Sequence, residues 1–205
     1  MMIKIVLNDK RIFLVEDYQQ IVQHYSITNT ILVFHPDEKK VTDMVDVLLV
    51  SEVEHAICVG NPEKLLGLFK KAFRFVRAGG GVVFNNKNEI LFIYRRKKWD
   101  MAKGKLNRGE EIEVCAKREV QEETGIRNLE TVQFLTNTYH MYLENTMVLK
   151  ETSWFLLYSE DTRLRPQANE GIQKVVWVHK NNVRYQLKNT YPAIHDIFRV
   201  LATIE

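Results

Sequence analysis

The chain has 205 residues, 45% of them hydrophobic and 27% charged, with a formal net charge of +3. That length suits one domain plus a modest second one, and so mild a charge does not indicate a nucleic-acid binder, so no DNA partner is expected. No apolar run reaches the roughly 18 residues of a membrane span, and the opening Met1-Met2-Ile3-Lys4-Ile5-Val6-Leu7 lacks the basic and long apolar regions of a signal peptide. The two cysteines, Cys58 and Cys115, both sit among apolar neighbours, which predicts buried free thiols in a reducing, cytoplasmic setting.

Residues 1–16 read as a β-hairpin, with Ile3 to Leu7 and Arg11 to Val15 as strands and Asn8-Asp9 as the turn. Residues 17–29 are ambiguous, with helix preferred. Thr30 to His35 reads as a buried strand. Pro36-Asp37 then opens a helix through Val50, with Val41, Met44, Val45, Leu48 and Leu49 as its apolar stripe. Glu54 to Val59 is another strand. Asn61-Pro62-Glu63 supplies an N-cap, a first-turn proline and an early acid for the helix that follows. This makes a small α/β module over residues 1–74 with no catalytic constellation. His24, His35 and His55 are scattered and read as packing or surface residues.

Phe75 to Phe84 opens the second domain, residues 75–205. Three consecutive glycines, Gly79, Gly80 and Gly81, lie inside that strand and permit a bulge or the close approach of another backbone. Asn85 to Asn88 make a turn, and Glu89 to Arg96 is the next strand. Positive charge then gathers at Arg95, Arg96, Lys97, Lys98, Lys103, Lys105 and Arg108, which suits an anionic, phosphate-bearing ligand.

The following stretch organises the chain. Gly104 is followed by Glu110, then by Arg118-Glu119-Val120, Glu122-Glu123 and Gly125-Ile126. A loop with two glycines runs into a helix that ends at Gly125. Glu119, Glu122 and Glu123 stand at i, i+3 and i+4, where each like-charged pair costs a helix roughly 0.2–0.5 kcal/mol. At about 100° per residue, Ile112, Cys115 and Ala116 point the same way as Glu119 and Glu123, while Glu113, Lys117 and Gln121 point away. The glutamates therefore continue an inward stripe. Inward carboxylates need a cation, and an oxygen-only donor set suits Mg²⁺ or Mn²⁺.

This layout resembles the Nudix box, the signature of hydrolases that cleave nucleoside diphosphates linked to another group, and all nine fixed positions of the pattern match. The resemblance covers residues 75–205 and implies an α/β/α sandwich around a mixed sheet, here preceded by the small N-terminal α/β module. The hairpin of residues 75–96 is similar to the one preceding the box in that family. One departure stands in Trp99-Asp100-Met101-Ala102-Lys103-Gly104-Lys105, where Ala102 replaces the usual proline. The resemblance implies that Glu119, Glu122 and Glu123 are metal ligands, one of them able to act as base, with a backbone carbonyl near Lys103 or Gly104 as a further ligand. It implies that Arg118 orients the glutamates, with Glu110 as its partner. Arg95, Arg96, Lys103 and Lys105 are candidates for the substrate's phosphates.

Past the box, Thr131 to Leu143 and Met147 to Tyr158 read as long strands, joined by a turn at Glu144-Asn145-Thr146. Arg163 to Gly171 is a polar loop. Its Glu170 occupies a place comparable to that of a further catalytic glutamate in Nudix hydrolases. Ile172 to Val178 is a strand, and Tyr191-Pro192 leads a closing helix through Leu201. Trp99, Tyr139, Tyr142 and Trp154 are aromatic candidates for stacking on a base or, more commonly, for the core.

The function expected is metal-dependent cleavage of the phosphoanhydride of a small nucleoside diphosphate derivative, such as ADP-ribose or a dinucleoside polyphosphate. The rival reading is a Nudix-like ligand-binding regulator without hydrolase activity; the complete box weighs against it. An isopentenyl diphosphate isomerase on the same fold would need a pocket cysteine, whereas Cys115 lies among core residues of the box helix. The extra module has three roles open to it: dimer contact, which would make the protein a homodimer, substrate lid, or scaffold.

Overall fold

A computed structural model describes residues 2–23 and 29–204. His24, and part of the ambiguous stretch 17–29, lie outside the described residues. The chain divides into two compact units, one holding the first 76 residues together with Tyr139–Lys150, the other Arg77–Thr138 with Glu151–Glu205.

In the first unit, β1 (Met2–Leu7) and β2 (Lys10–Val15) pair antiparallel across a two-residue loop, where Asn8 takes φ 56°. A short helix, α1 (Gln19–Val22), follows. Then β3 (Thr30–Phe34), α2 (Glu38–Val50) and β4 (His55–Val59) form a parallel crossover, with β4 seated between β2 and β3. The last helix is α3 (Pro62–Ala72). Both long helices start as their sequences predict: Asp37 accepts from the Lys40 N–H at 2.8 Å and Asn61 from the Lys64 N–H at 3.0 Å.

Strand alternation sorts the side chains onto two faces. Ile12 and Leu14 join Val41, Met44, Leu48, Leu65 and Phe69 on the helix side. Phe13 and Val15 meet Ile21, Ile57 and Val59 on the other. The unit is completed by chain from much later: Ile5 of β1 pairs in parallel with Tyr139, and Met141 and Leu149 are buried in the same cluster as Phe69.

The second unit is a mixed sheet covered on both faces. Its strands are β5 (Arg74–Phe84, which begins in the first unit), β6 (Glu89–Arg95), β9 (Glu130–Leu143), β10 (Met147–Tyr158) and β11 (Ile172–His179). They run in the order β11-β6-β5-β10-β9, while the short β7 (Lys98–Asp100) pairs with β6 and β8 (Lys103–Lys105) with β5. The region between Trp99 and Lys105, which reads as a loop in sequence, thus supplies two short strands. Helix α4 (Ile112–Thr124) covers one face through Ala116 and Val120, packed with Val83, Leu91 and Leu157. Helices α5 (Val183–Leu187) and α6 (Pro192–Leu201) belong to the other, where Val82, Phe92 and Trp154 meet Ile194 and Ile197. This is the α/β/α sandwich expected.

Candidate active site

The site is built where α4 lies on the glycine strand. Strand β8 pairs with β5 at Gly79↔Gly104 and Gly80↔Lys103. A Cβ on Gly79 would stand 2.6 Å from the backbone nitrogen of Ala116, so only glycine lets the helix rest directly on the sheet. At Gly104 the missing side chain is replaced by a carboxylate: a Cβ there would stand 1.9 Å from Oε2 of Glu119. The first glycine of the box is therefore the cradle of its first glutamate.

The inward stripe holds for two of the three glutamates. Glu119 is 7% exposed and Glu123 0%. Glu122 differs, with its side chain 48% exposed. On the helical wheel it stands about 100° from Glu123, at the edge of the buried arc.

Arg118 ties the exposed side together. Its guanidinium donates to both oxygens of Glu110 at 2.7 and 3.0 Å, to Glu119 Oε1 at 2.7 Å, to Glu122 Oε2 at 3.0 Å and to the Lys105 carbonyl at 3.1 Å. These hydrogen bonds hold the Glu110 carboxyl down at about 2 and push the arginine further up from its ordinary value.

A second, deeper network holds Glu123. Its Oε2 accepts the backbone N–H of Lys103 at 2.9 Å, and its Oε1 accepts from Arg95 Nη1 at 3.3 Å. Asp100, 1% exposed, lies beyond those two cations. It accepts from Arg95 Nε and Nη2 at 3.1 and 3.0 Å, from Lys103 Nζ at 2.5 Å and from the Met101 N–H at 2.8 Å. Burial pushes the Glu123 carboxyl up to about 7, against the opposing pull of Lys103 and Arg95. Burial acts the same way on Asp100, but Lys103 and Arg95 outweigh it and hold that carboxyl below the usual range.

Glu170 reaches the site by a docked loop. The carbonyls at the end of α4 lack helical partners, and the loop supplies them: Arg165 N–H donates to the Thr124 carbonyl at 2.7 Å and Gln167 N–H to the Glu123 carbonyl at 3.3 Å. Glu170 follows in a single 3-10 turn, Ala168–Glu170, closed by Gly171 at φ 75°. Burial raises the Glu119 carboxyl above its usual range, and the charges of Glu122 and Glu170 push the same way, so Glu170 stands within electrostatic reach.

Of the four cations read as phosphate ligands, Arg95 and Lys103 are engaged by Asp100 and Glu123. Arg96 is exposed at the tip of the turn between β6 and β7, where it and Lys97 take φ 49° and 61°. Lys105 is exposed on β8. Trp154 is core, 1% exposed, with its indole N–H on Thr138 at 2.8 Å. Cys115 is fully buried, and burial raises its thiol, which suits packing and not nucleophilic attack.

The donor chemistry fits a hard divalent cation. Glu119 keeps one oxygen in the Gly104 cradle, Glu122 adds an exposed carboxylate, and the set is all oxygen. Among the described residues no three His, Cys, Asp or Glu side chains form a ready metal cage; Arg118 holds an oxygen of both Glu119 and Glu122. A cavity of about 660 Å³ lined by Val82, Ile90, Leu156, Phe198 and Leu201 lies elsewhere, and no box glutamate lines it.

Sequence reasoning missed Asp100. An acid between Trp99 and Met101 carries no periodic signal, and only the flanking cations Arg95 and Lys103 hinted that it had partners.

Fold and site together define an α/β/α domain with a helix-borne carboxylate cluster set against a glycine loop. A family model of the NUDIX domain matches residues 74–201, and the chain belongs to that family. It is 35% identical over 63 residues to an RNA pyrophosphohydrolase of Pelagibacter ubique (strain HTCC1062), a match covering 28% of this chain and 40% of that protein's length. Solved structures of similar fold include a NUDIX hydrolase from Nitrosomonas europaea, at 19% identity and TM-score 0.50, covering 63% of this chain and 90% of that one. An Ap4A hydrolase binary complex from C. elegans matches at 18% identity and TM-score 0.50, covering 63% and 96%. The MutT protein of Methanosarcina mazei Go1 matches at 21% identity and TM-score 0.50, covering 65% and 97%.

Proposed function

We propose that this protein is a metal-dependent hydrolase that cleaves a phosphoanhydride bond in a small nucleoside diphosphate derivative, of the ADP-ribose or dinucleoside polyphosphate kind. The observation that carries the reading is the Glu119 carboxylate seated in the space a Gly104 side chain would fill, with Glu122 beside it on the same arginine. Nudix hydrolases generally use divalent metal ions. Here Glu119, Glu122, Glu123 and the Gly104 carbonyl would hold Mg²⁺ or Mn²⁺, which neutralises phosphate charge and lowers the pKa of attacking water.

The chain's own residues do the positioning. Arg118 fixes two glutamates from one guanidinium, so their separation is set before substrate arrives. Glu170, on a loop bound to the end of the same helix, would accept a proton from water. Arg96 and Lys105, both exposed, would meet phosphate; Arg95 and Lys103 act through Glu123. No helix among the described residues is long and apolar enough to cross a membrane, and two buried free thiols suit the cytoplasm.

The test is a panel of ADP-ribose, dinucleoside polyphosphates and 5′-triphosphorylated RNA, incubated with the protein and Mg²⁺ or Mn²⁺ and followed by ³¹P NMR. New phosphate monoester ends from at least one compound, absent with chelator, are expected. Tight binding of a nucleotide without turnover under every metal would overturn the hydrolase in favour of a ligand-binding regulator.

A further inference from the structure

The deeper network contains two buried carboxylates and two cations that are nearly so. Side-chain exposure is 2% for Asp100, 0% for Glu123, 16% for Lys103 and 20% for Arg95. Formally the four charges cancel, but the hydrogen bonds are not shared equally. Asp100 Oδ2 takes three bonds from charged donors, two from Arg95 and one from the Lys103 ammonium. Glu123 takes a single 3.3 Å contact from Arg95 and the uncharged backbone N–H of Lys103. The Lys103 ammonium gives its hydrogen bonds to Asp100 and to the Met101 carbonyl at 3.1 Å, and acts on Glu123 through its charge alone.

A carboxylate gripped by two full cations is a poor ligand for a third. One held by a neutral N–H and the edge of a guanidinium, with a single hydrogen bond on each oxygen, keeps its direction and a lone pair on each oxygen for a cation. In a medium of low dielectric that difference is amplified, because each displaced charge counts for more than it would in water.

We infer that Asp100 is a positioning residue of the glutamate site: by drawing the charged ends of Arg95 and Lys103 to itself, it lets them steady Glu123 without neutralising it and so keeps Glu123 available to a divalent cation. The inference rests on the proposed function only in that Glu123 helps to hold such a cation. It changes the role of the two buried cations from substrate ligands to a charge reservoir kept at a fixed distance.

Two substitutions in this one network are expected to act differently on metal binding. Asp100→Asn preserves shape but leaves two cations facing Glu123 alone, so Mn²⁺ affinity falls about 10–100-fold, the range for groups that support metal ligands. Lys103→Met removes one cation and leaves Asp100 enough for Arg95, so Mn²⁺ binds as tightly as to the parent or several-fold tighter. The pair Asp100→Asn with Lys103→Met restores the charge balance and recovers affinity to within roughly threefold of the parent, a non-additive result. A purely structural anchor predicts that both single changes weaken binding and that the double change is worst.

The measurement is calorimetric titration of the full-length protein with Mn²⁺ alone, paired with thermal melts with and without Mn²⁺. If the parent binds no Mn²⁺, this inference and the metal-dependent function fall together. If the parent binds and Asp100→Asn binds equally well, only the role of Asp100 falls. Should Asp100→Asn not fold, the sign for Lys103→Met decides, and weaker binding overturns the inference.

Discussion

The two units are both α/β and differ in what they bury. Among the described residues the first unit buries one polar side chain, His55, which packs edge-on against Phe13 at 6.0 Å. The second buries Asp100, Glu119 and Glu123 along with several neutral polar groups. Burying an ionised carboxylate is costly unless it is paired, and here Asp100 and Glu123 are paired with cations from other elements, Arg95 and Lys103, while Glu119 is paired with Arg118 on its own helix. A fold that needed only stability would resemble the first unit. The second carries charge inside because something other than stability requires it there.

The sharpest way to break that contrast is to remove one of the inner charges. Glu119→Gln keeps the shape of the side chain in the Gly104 cradle. Activity is expected to fall by about 10²–10⁴, the scale of one positioned acid–base or ligand group. Without metal, the melting temperature should hold or rise, since burial and the neighbouring Glu122 and Glu170 disfavour the charged form. Rates and apo melts on the same preparations decide it. A lower apo melting temperature with near-parental turnover would mean that the buried carboxylates are a stabilising network, and the two units would then differ in composition only.

The converse change belongs to the first unit. Phe69 is fully buried among Leu65, Leu66 and Met141. Phe69→Ala is expected to cost about 3–5 kcal/mol by transfer and cavity terms together. Measured well below its melting temperature, kcat per folded molecule should stay within about twofold of the parent, on the scale that separates remote sites from coupled ones. Denaturant unfolding and initial rates test both halves. A large loss of kcat in a folded variant would make the first unit part of the catalytic machinery.

How far these differences were legible depended on the range of the interactions. Local signals read well. Asn61-Pro62-Glu63 announced α3, Asp37 announced α2, and the triple glycine announced a close approach that turned out to be α4 itself. The box glutamates were legible because their spacing is a property of one helix, and even there the wheel placed Glu122 with the inward group when it lies at the edge. Interactions across many residues did not read. The pairing of Ile5 with Tyr139, which gives Tyr139–Lys150 to the first unit, leaves no trace in the alternation of either strand. A chain starting near Arg74 would lack β1 and α3 and so would uncover Met141 and Leu149, both 0% exposed. Asp100 was invisible for the same reason: its meaning lies in Arg95 on β6 and Glu123 on α4, not in its neighbours.

The smallest effect should come from the exposed side of the arginine network and should show itself only in acid. Glu110 receives two hydrogen bonds from Arg118 and the backbone N–H of Asn107 at 2.9 Å. Chiefly through the Arg118 hydrogen bonds its carboxyl lies at about 2 in the folded protein, against an ordinary value of 4.5. The unfolded chain therefore takes up this proton first as pH falls. A depressed folded value means stability that is fully present above the ordinary carboxylate range and is lost between about pH 4.5 and 2. Glu110→Gln removes that contribution, so the parent and variant curves should be separated at neutral pH and converge in acid. Arg118 keeps Glu119 and Glu122, so the neutral-pH separation should be modest, as for other partly exposed ion pairs. Urea unfolding from pH 6 to pH 2 measures the difference directly. Curves that run parallel over the whole range would mean that Arg118 does not favour ionised Glu110, and that the arginine is held by the box glutamates alone.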